Sequence, residues 1–274
     1  MKKTKKLLLA FLIPAVLAVV SVASCEKKAQ VAEDGAARQS SPQIDRIRKA
    51  GVLKVGVKSD VPKFGLLDTA TNQYEGFEIE LSKLIAKQLF GDPNKVAFTA
   101  VTAKTRGPLL DNGDIDLVIA TFTITEERKL AYNFSTPYYT DAVGLLVKKA
   151  AGYTGLKDLD GKIIGVAQSA TSREAIQTAA NSIGTSVTFM EFSTYPEIKA
   201  ALDSGRVDVF SVDKSILNGY LDSETVILPD AFSPQNYGVA SKFANKDVAV
   251  YVDALVTNWL NDGVITELIN QFGL

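Results

Sequence analysis

The chain has 274 residues, 46% of them hydrophobic, and its 30 basic and 31 acidic residues leave a formal net charge of −1. That near-balance offers no bulk electrostatic partner to nucleic acid or to an anionic membrane surface. The chain contains no histidine, which excludes Ser-His-Asp and Cys-His catalysis, histidine general bases and the commonest metal ligand together.

The N-terminus carries Lys2, Lys3, Lys5 and Lys6, then an apolar run over residues 7–20 broken by Pro14. The run is short for a membrane span and has the shape of a secretory signal. It closes on Val22-Ala23-Ser24-Cys25, which resembles a bacterial lipobox, in which the cysteine is acylated and becomes the new N-terminus. A plain cleaved signal with a cysteine beside the cut is the alternative. Residues 1–25 are therefore expected to be a lipoprotein signal peptide with Cys25 as the lipidation site. Cys25 is the single cysteine, so no disulfide forms within one chain. Residues 26–43 are polar, without apolar periodicity, and read as a flexible tether. Acyl chains would anchor the body, which is expected outside the cytoplasm.

The body of about 230 residues fits one large domain or two lobes. Strands are predicted at Leu53-Lys54-Val55-Gly56-Val57-Lys58 and Lys162-Ile163-Ile164-Gly165-Val166-Ala167, with helices over 78–90 and 173–183. The segment Leu110-Asp111-Asn112-Gly113-Asp114-Ile115-Asp116-Leu117 repeats as Leu202-Asp203-Ser204-Gly205-Arg206-Val207-Asp208-Val209. Each copy reads as a helix end, a glycine turn and a buried strand. Repeated strand–helix units predict an α/β protein of two similar lobes. No G-x-G-x-x-G or Walker-type loop occurs, and neither cofactor nor metal is expected.

Ligands in open α/β sheets bind beyond the C-terminal ends of strands. That rule selects the loops carrying Lys58, Asp60, Thr121, Thr123, Arg128, Ser169, Thr171 and Asp213. Thr125 is a good N-cap for a helix whose first turn holds Arg128. Free amides, threonine hydroxyls and a guanidinium there suit a carboxylate. An ordinary cap with a solvated arginine is the plainer reading.

Gly76-Phe77-Glu78-Ile79-Glu80-Leu81, Thr123-Ile124-Thr125-Glu126-Glu127-Arg128, Phe134-Ser135-Thr136-Pro137-Tyr138 and Gly205-Arg206-Val207-Asp208 resemble the family 3 extracellular solute-binding proteins. These are the amino-acid receptors of ABC importers. The resemblance runs from about Ile44 to Leu274. It implies a two-lobed, type II periplasmic-binding-protein-like fold, with parallel or mixed sheets, flanking helices and a two-strand hinge. Read alone, the Gly76 segment is a helix start engaged in core and cap. Val57-Lys58-Ser59-Asp60-Val61-Pro62, Thr105-Arg106-Gly107 and Phe210-Ser211-Val212-Asp213-Lys214 are similar to the aspartate/glutamate-binding branch, which includes receptors also described as surface adhesins.

The resemblance implies binding without catalysis. Arg128, Thr121, Thr123 and Thr171 would take an α-carboxylate and Asp213 the α-ammonium. Lys58 and Arg106 would then remain as two extra cations, costly to desolvate unpaired, and a side-chain carboxylate answers both. Tyr195 would donate its hydroxyl to that side chain. Plainer roles stand beside these: a helix cap for Asp213 and for Thr171, a surface lysine, an Arg106 ion pair with Asp111 or Asp114, and a loop aromatic at Tyr195. Trp259 reads as helix packing. Lobe 1 is expected over 44–143 and 238–274, lobe 2 over 144–237, with crossings near 144–147 and 237–240. The expected partners are an ABC permease, an acidic L-amino acid and, through the lipid anchor, a membrane, with the receptor working as a monomer. A dehydratase-type enzyme on the same scaffold and an adhesin or sensor are the alternatives.

Overall fold

The structure, a computed structural model, describes residues 42–274; the signal peptide, Cys25 and the tether as far as residue 41 lie outside the described residues. The first half of the chain forms α1 (Pro42–Ala50), β1 (Leu53–Val57), β2 (Asp60–Val61), β3 (Gly65–Asp68), β4 (Gln73–Glu75), α2 (Phe77–Phe90), β5 (Val96–Ala100), α3 (Arg106–Asn112), β6 (Leu117–Ile119), α4 (Glu126–Lys129) and β7 (Tyr132–Phe134). The second half forms β8 (Tyr139–Lys148), β9 (Ile163–Ala167), α5 (Ser172–Ser182), β10 (Thr188–Phe192), α6 (Tyr195–Asp203), β11 (Val209–Asp213), α7 (Lys214–Asn218), β12 (Thr225–Ile227), β13 (Phe232–Tyr237), β14 (Ala240–Lys242), α8 (Lys246–Asn261) and α9 (Val264–Phe272).

Two five-strand paths carry the lobes, ordered β5-β1-β6-β14-β7 and β10-β9-β11-β8-β12, with β13 also paired to β8. In each, the first three strands are parallel and the fourth runs antiparallel to the third. The internal repeat is thus architectural: β1 and β9 hold equivalent places, as do β6 and β11. This is the type II fold, and its mixed sheets follow from strands that return through the crossings. Helices α2 and α5 lie within one residue of their predicted bounds.

Gly76 starts α2 with φ 126°, and a Cβ there would sit 2.3 Å from the Phe64 carbonyl oxygen, so only glycine fits. Behind it Phe77, Ile79, Leu81, Ile85 and Ala86 are fully buried. Trp259 is buried on α8, as core packing requires.

Two boundaries differ from expectation. Pro42 and Gln43 belong to α1 and not to a tether. Ile44 and Ile47 are buried, and the Gln43 N–H donates to Asp247 Oδ2 at 2.9 Å. Proline suits the first turn because its missing N–H is unpaired there anyway. The first crossing lies at 135–138, earlier than the expected 144–147, because β8 already pairs with β13 from Tyr139 onward. The run Gly144-Leu145-Leu146-Val147 is the buried middle of a ten-residue strand. The second crossing, 238–239, separates β13 from β14. The two segments clasp through Tyr138 N to Tyr237 O (2.9 Å), Ser135 N to Val239 O (2.9 Å) and Val239 N to Ser135 Oγ (3.0 Å).

Candidate functional site

Lys58 follows β1, Thr121 and Thr123 follow β6, Ser169 and Thr171 follow β9, and Asp213 ends β11. Arg106 opens α3, Arg128 lies on α4 and Tyr195 opens α6. All eight predicted ligand-binding residues therefore lie on the facing ends of the two sheets. The lobes touch there. Arg128 Nη2 donates to the Ser169 carbonyl at 3.0 Å, the Tyr195 N–H approaches Asp60 Oδ2 at 3.4 Å, and the Tyr220 hydroxyl donates to the Asp60 carbonyl.

Three cations meet in this cleft. Lys58 is 2% exposed; its Nζ lies 3.0 Å from Asp60 Oδ1 and 4.4 Å from the Tyr195 ring centroid. Burial pushes its ammonium down, opposed first by Asp60. Arg106 is also buried; Nη1 donates to Ala120 O (2.7 Å) and Thr121 O (3.3 Å), while Nε has no partner. Its guanidinium lies 3.9 Å from the Phe122 ring centroid and that of Arg128 4.8 Å from the same ring, stacking contacts that lysine would not reproduce. Arg128 Nη1 donates to Thr123 O at 2.7 Å, and its own N–H is capped by Thr125 Oγ1 at 3.1 Å. Burial, then Arg106, pushes Arg128 down to about 9.

The anions are equally enclosed. Asp213 precedes α7 but makes no side-chain cap; it accepts the Tyr237 hydroxyl instead. Burial raises it to about 7, against the opposing pull of that hydrogen bond and of Arg106 and Arg128. Glu78 is fully buried, and its Oε1 accepts from Thr121 N and from the Tyr138 hydroxyl, both at 2.6 Å. It too is raised to about 7 by burial, with both hydrogen bonds, Arg106 and Lys58 working the other way.

The structure corrects three assignments. Lys58 is not a spare cation, because Asp60, two residues on, already pairs with it. Arg106 makes no ion pair with Asp111 or Asp114; Asp111 accepts from Tyr132. The Thr123 and Thr171 hydroxyls both donate to Gln235 Oε1, at 2.8 and 2.7 Å, which commits their protons away from a ligand carboxylate. Thr121 Oγ1 is buried without a partner. Glu78 and Gln235 escaped the sequence reading. For Glu78 the available signal is a carboxylate between two core residues, Phe77 and Ile79. A strand-borne glutamine such as Gln235 gives none.

A model of the bacterial extracellular solute-binding proteins, family 3, matches residues 53–157. The glutamine-binding protein of Geobacillus stearothermophilus is 36% identical over 242 residues, spanning 85% of this chain and 91% of that protein. The ABC transporter glutamine-binding protein GlnH of Bacillus subtilis is 34% identical over 260 residues, 93% of each chain. Among solved structures, the ancestral amino acid-binding protein AncCDT-1, a precursor of cyclohexadienyl dehydratase, matches with a TM-score of 0.73 at 29% identity over 84% of this chain and 99% of that one.

Proposed function

The chain belongs to the bacterial extracellular solute-binding proteins, family 3, and from that membership we propose that it is the receptor of an amino-acid ABC importer, binding L-aspartate or L-glutamate between its lobes. Arg128 and the Thr121 hydroxyl would take the α-carboxylate, and Asp213 the α-ammonium. Arg106, with Lys58 and Tyr195, would take the side-chain carboxylate. Thr123 and Thr171 would act through Gln235, holding the loops of both lobes. The two crossings at 135–138 and 238–239 would let the lobes close on the ligand as rigid bodies. Closure would create the surface that the permease reads.

The observation that carries the acidic-ligand reading is Arg106. It is a buried guanidinium with an unpartnered Nε and no carboxylate in direct contact. A second carboxylate on the ligand would answer it bidentately. A second reading, L-glutamine, is favoured by the Lys58–Asp60 pair and by the names of the two bacterial relatives. Calorimetric titration of the protein, stripped of ligand by unfolding and refolding, separates them. The acidic reading expects micromolar or tighter binding of aspartate and glutamate alone. Tight binding of glutamine alone would replace it.

The pairing of Arg128 with Asp213 across one cleft suits an intact α-amino acid and favours reversible binding over turnover. Steady conversion of a prephenate-like substrate would overturn that. The proposal extends to an extracytoplasmic location and to a lipid anchor at Cys25. Incorporation of labelled palmitate that is lost in Cys25→Ser is the expected outcome.

A further inference from the structure

Glu78 lies one shell behind the cleft, on α2, and the binding scheme above does not use it. Its surroundings are unusual. Thr121 has φ 45°, a left-handed conformation that a β-branched residue rarely adopts. The turn is clasped from both sides: its N–H donates to Glu78 Oε1 and its carbonyl accepts from Arg106 Nη1. The same Glu78 oxygen accepts from the hydroxyl of Tyr138, which sits in the first crossing. One buried carboxylate therefore joins the ligand loop, the neighbourhood of Arg106 and a segment about which the lobes would close.

We propose that Glu78 is a positioning residue of the amino-acid site: by accepting from Thr121 N and Tyr138 it holds the Thr121 turn in its strained conformation and fixes that turn to the crossing. The role rests on the cleft being the amino-acid site. The physical content is that strain at Thr121 persists only where surrounding contacts over-determine it. Without the acceptor, the Thr121 N–H would be orphaned and the turn would relax, moving the Thr121 hydroxyl and the carbonyl that steadies Arg106. Gln235 forms a comparable clasp, accepting from Thr123 and Thr171 and donating to the carbonyl of Ser233, itself at φ 45°, but it does not reach the crossing through a buried carboxylate as Glu78 does.

The test compares Glu78→Gln, which keeps a carbonyl acceptor, with Glu78→Ala, which removes it. Two readouts are used: amino-acid affinity by calorimetry and amide hydrogen exchange at Thr121. The expected result is affinity within about threefold of wild type for Gln, and a loss of at least about tenfold for Ala (about 1.4 kcal/mol). Thr121 exchange should accelerate at least about tenfold in the Ala variant beyond any change at buried β1 amides. In a Thr121→Gly background, where the left-handed turn carries no strain, Glu78→Ala should cost less than about threefold. If Ala does not fold, Glu78→Leu fills similar space without an acceptor and is read the same way. Unchanged Thr121 exchange, or an equal affinity loss with Thr and Gly at that position, overturns the proposal. If the wild type binds no amino acid, the receptor reading falls, while the exchange readout still decides the role of Glu78.

Discussion

Replacing Asp60 with asparagine should shift selectivity toward acidic amino acids. Lys58 Nζ lies 3.0 Å from Asp60 Oδ1, and the lysine is buried. A ligand carboxylate sharing that ammonium would come to rest about 6 Å from the Asp60 carboxylate, where two like charges at an effective dielectric of about 20 repel by roughly 2–3 kcal/mol. The amide of D60N would retain an acceptor for the Tyr195 N–H, which now approaches Asp60 Oδ2, while removing the charge. The expected result is a gain in glutamate affinity of roughly 30- to 150-fold, set against less than about threefold for glutamine, whose side chain is neutral. Calorimetric titration of both ligands against wild type and D60N, at one pH and one salt concentration, reads the ratio directly. A ratio unchanged, or moved toward glutamine, would refute the view that Asp60 screens Lys58.

Arg128→Ala and Arg106→Ala should each weaken glutamate binding by about 2–5 kcal/mol, since each truncation leaves a ligand charge buried and unpaired; loss with the first but not the second would remove Arg106 from the side-chain subsite. Asp213 is raised from 3.8 to about 7, so the folded state holds its proton more tightly than the unfolded one, and stability falls as pH rises from about 4 to about 7. The full effect is about 4 kcal/mol, and urea unfolding between about pH 4 and 8 should show a flatter profile for Asp213→Asn than for wild type. The ligand ammonium needs the ionised form, so amino-acid affinity should rise over the upper part of the same window. Gly65→Ala should cost about 1–3 kcal/mol of stability, because the new Cβ would lie 2.6 Å from the Lys58 carbonyl oxygen; urea midpoints that match wild type would contradict that packing.

The ends of the parallel strands were legible because they obey a topological rule: an apolar run, a polar loop and a helix start mark a ligand-facing edge wherever they occur. That logic placed Lys58, Thr121, Thr171 and Asp213 at the strand ends, where the structure has them. It did not find how those groups are neutralised. The Lys58–Asp60 pair had a readable signal, since residues two apart in extended chain face the same side. A polar loop after a strand, however, gives no sign of whether such a pair closes on itself or opens to a ligand. Glu78 was hidden for a different reason. A carboxylate in the first turn of a helix has a complete local explanation as a dipole partner, so nothing in the sequence requires it to turn inward to Tyr138. The first crossing lies earlier than 144–147 because β8 pairs with β13 from Tyr139 onward and carries on through Gly144.

Charge in a closed cleft has meaning only as a sum. Lys58 pairs directly with Asp60, whereas Arg106 and Arg128 sense Glu78 and Asp213 only at longer range. A zwitterionic ligand with a neutral side chain preserves that sum. An acidic one adds a negative charge, which Arg106, with carbonyl partners and no carboxylate in direct contact, would offset. Under the proposed scheme Asp213 would hold the ammonium in its ionised form, so its own charge would be committed to that contact.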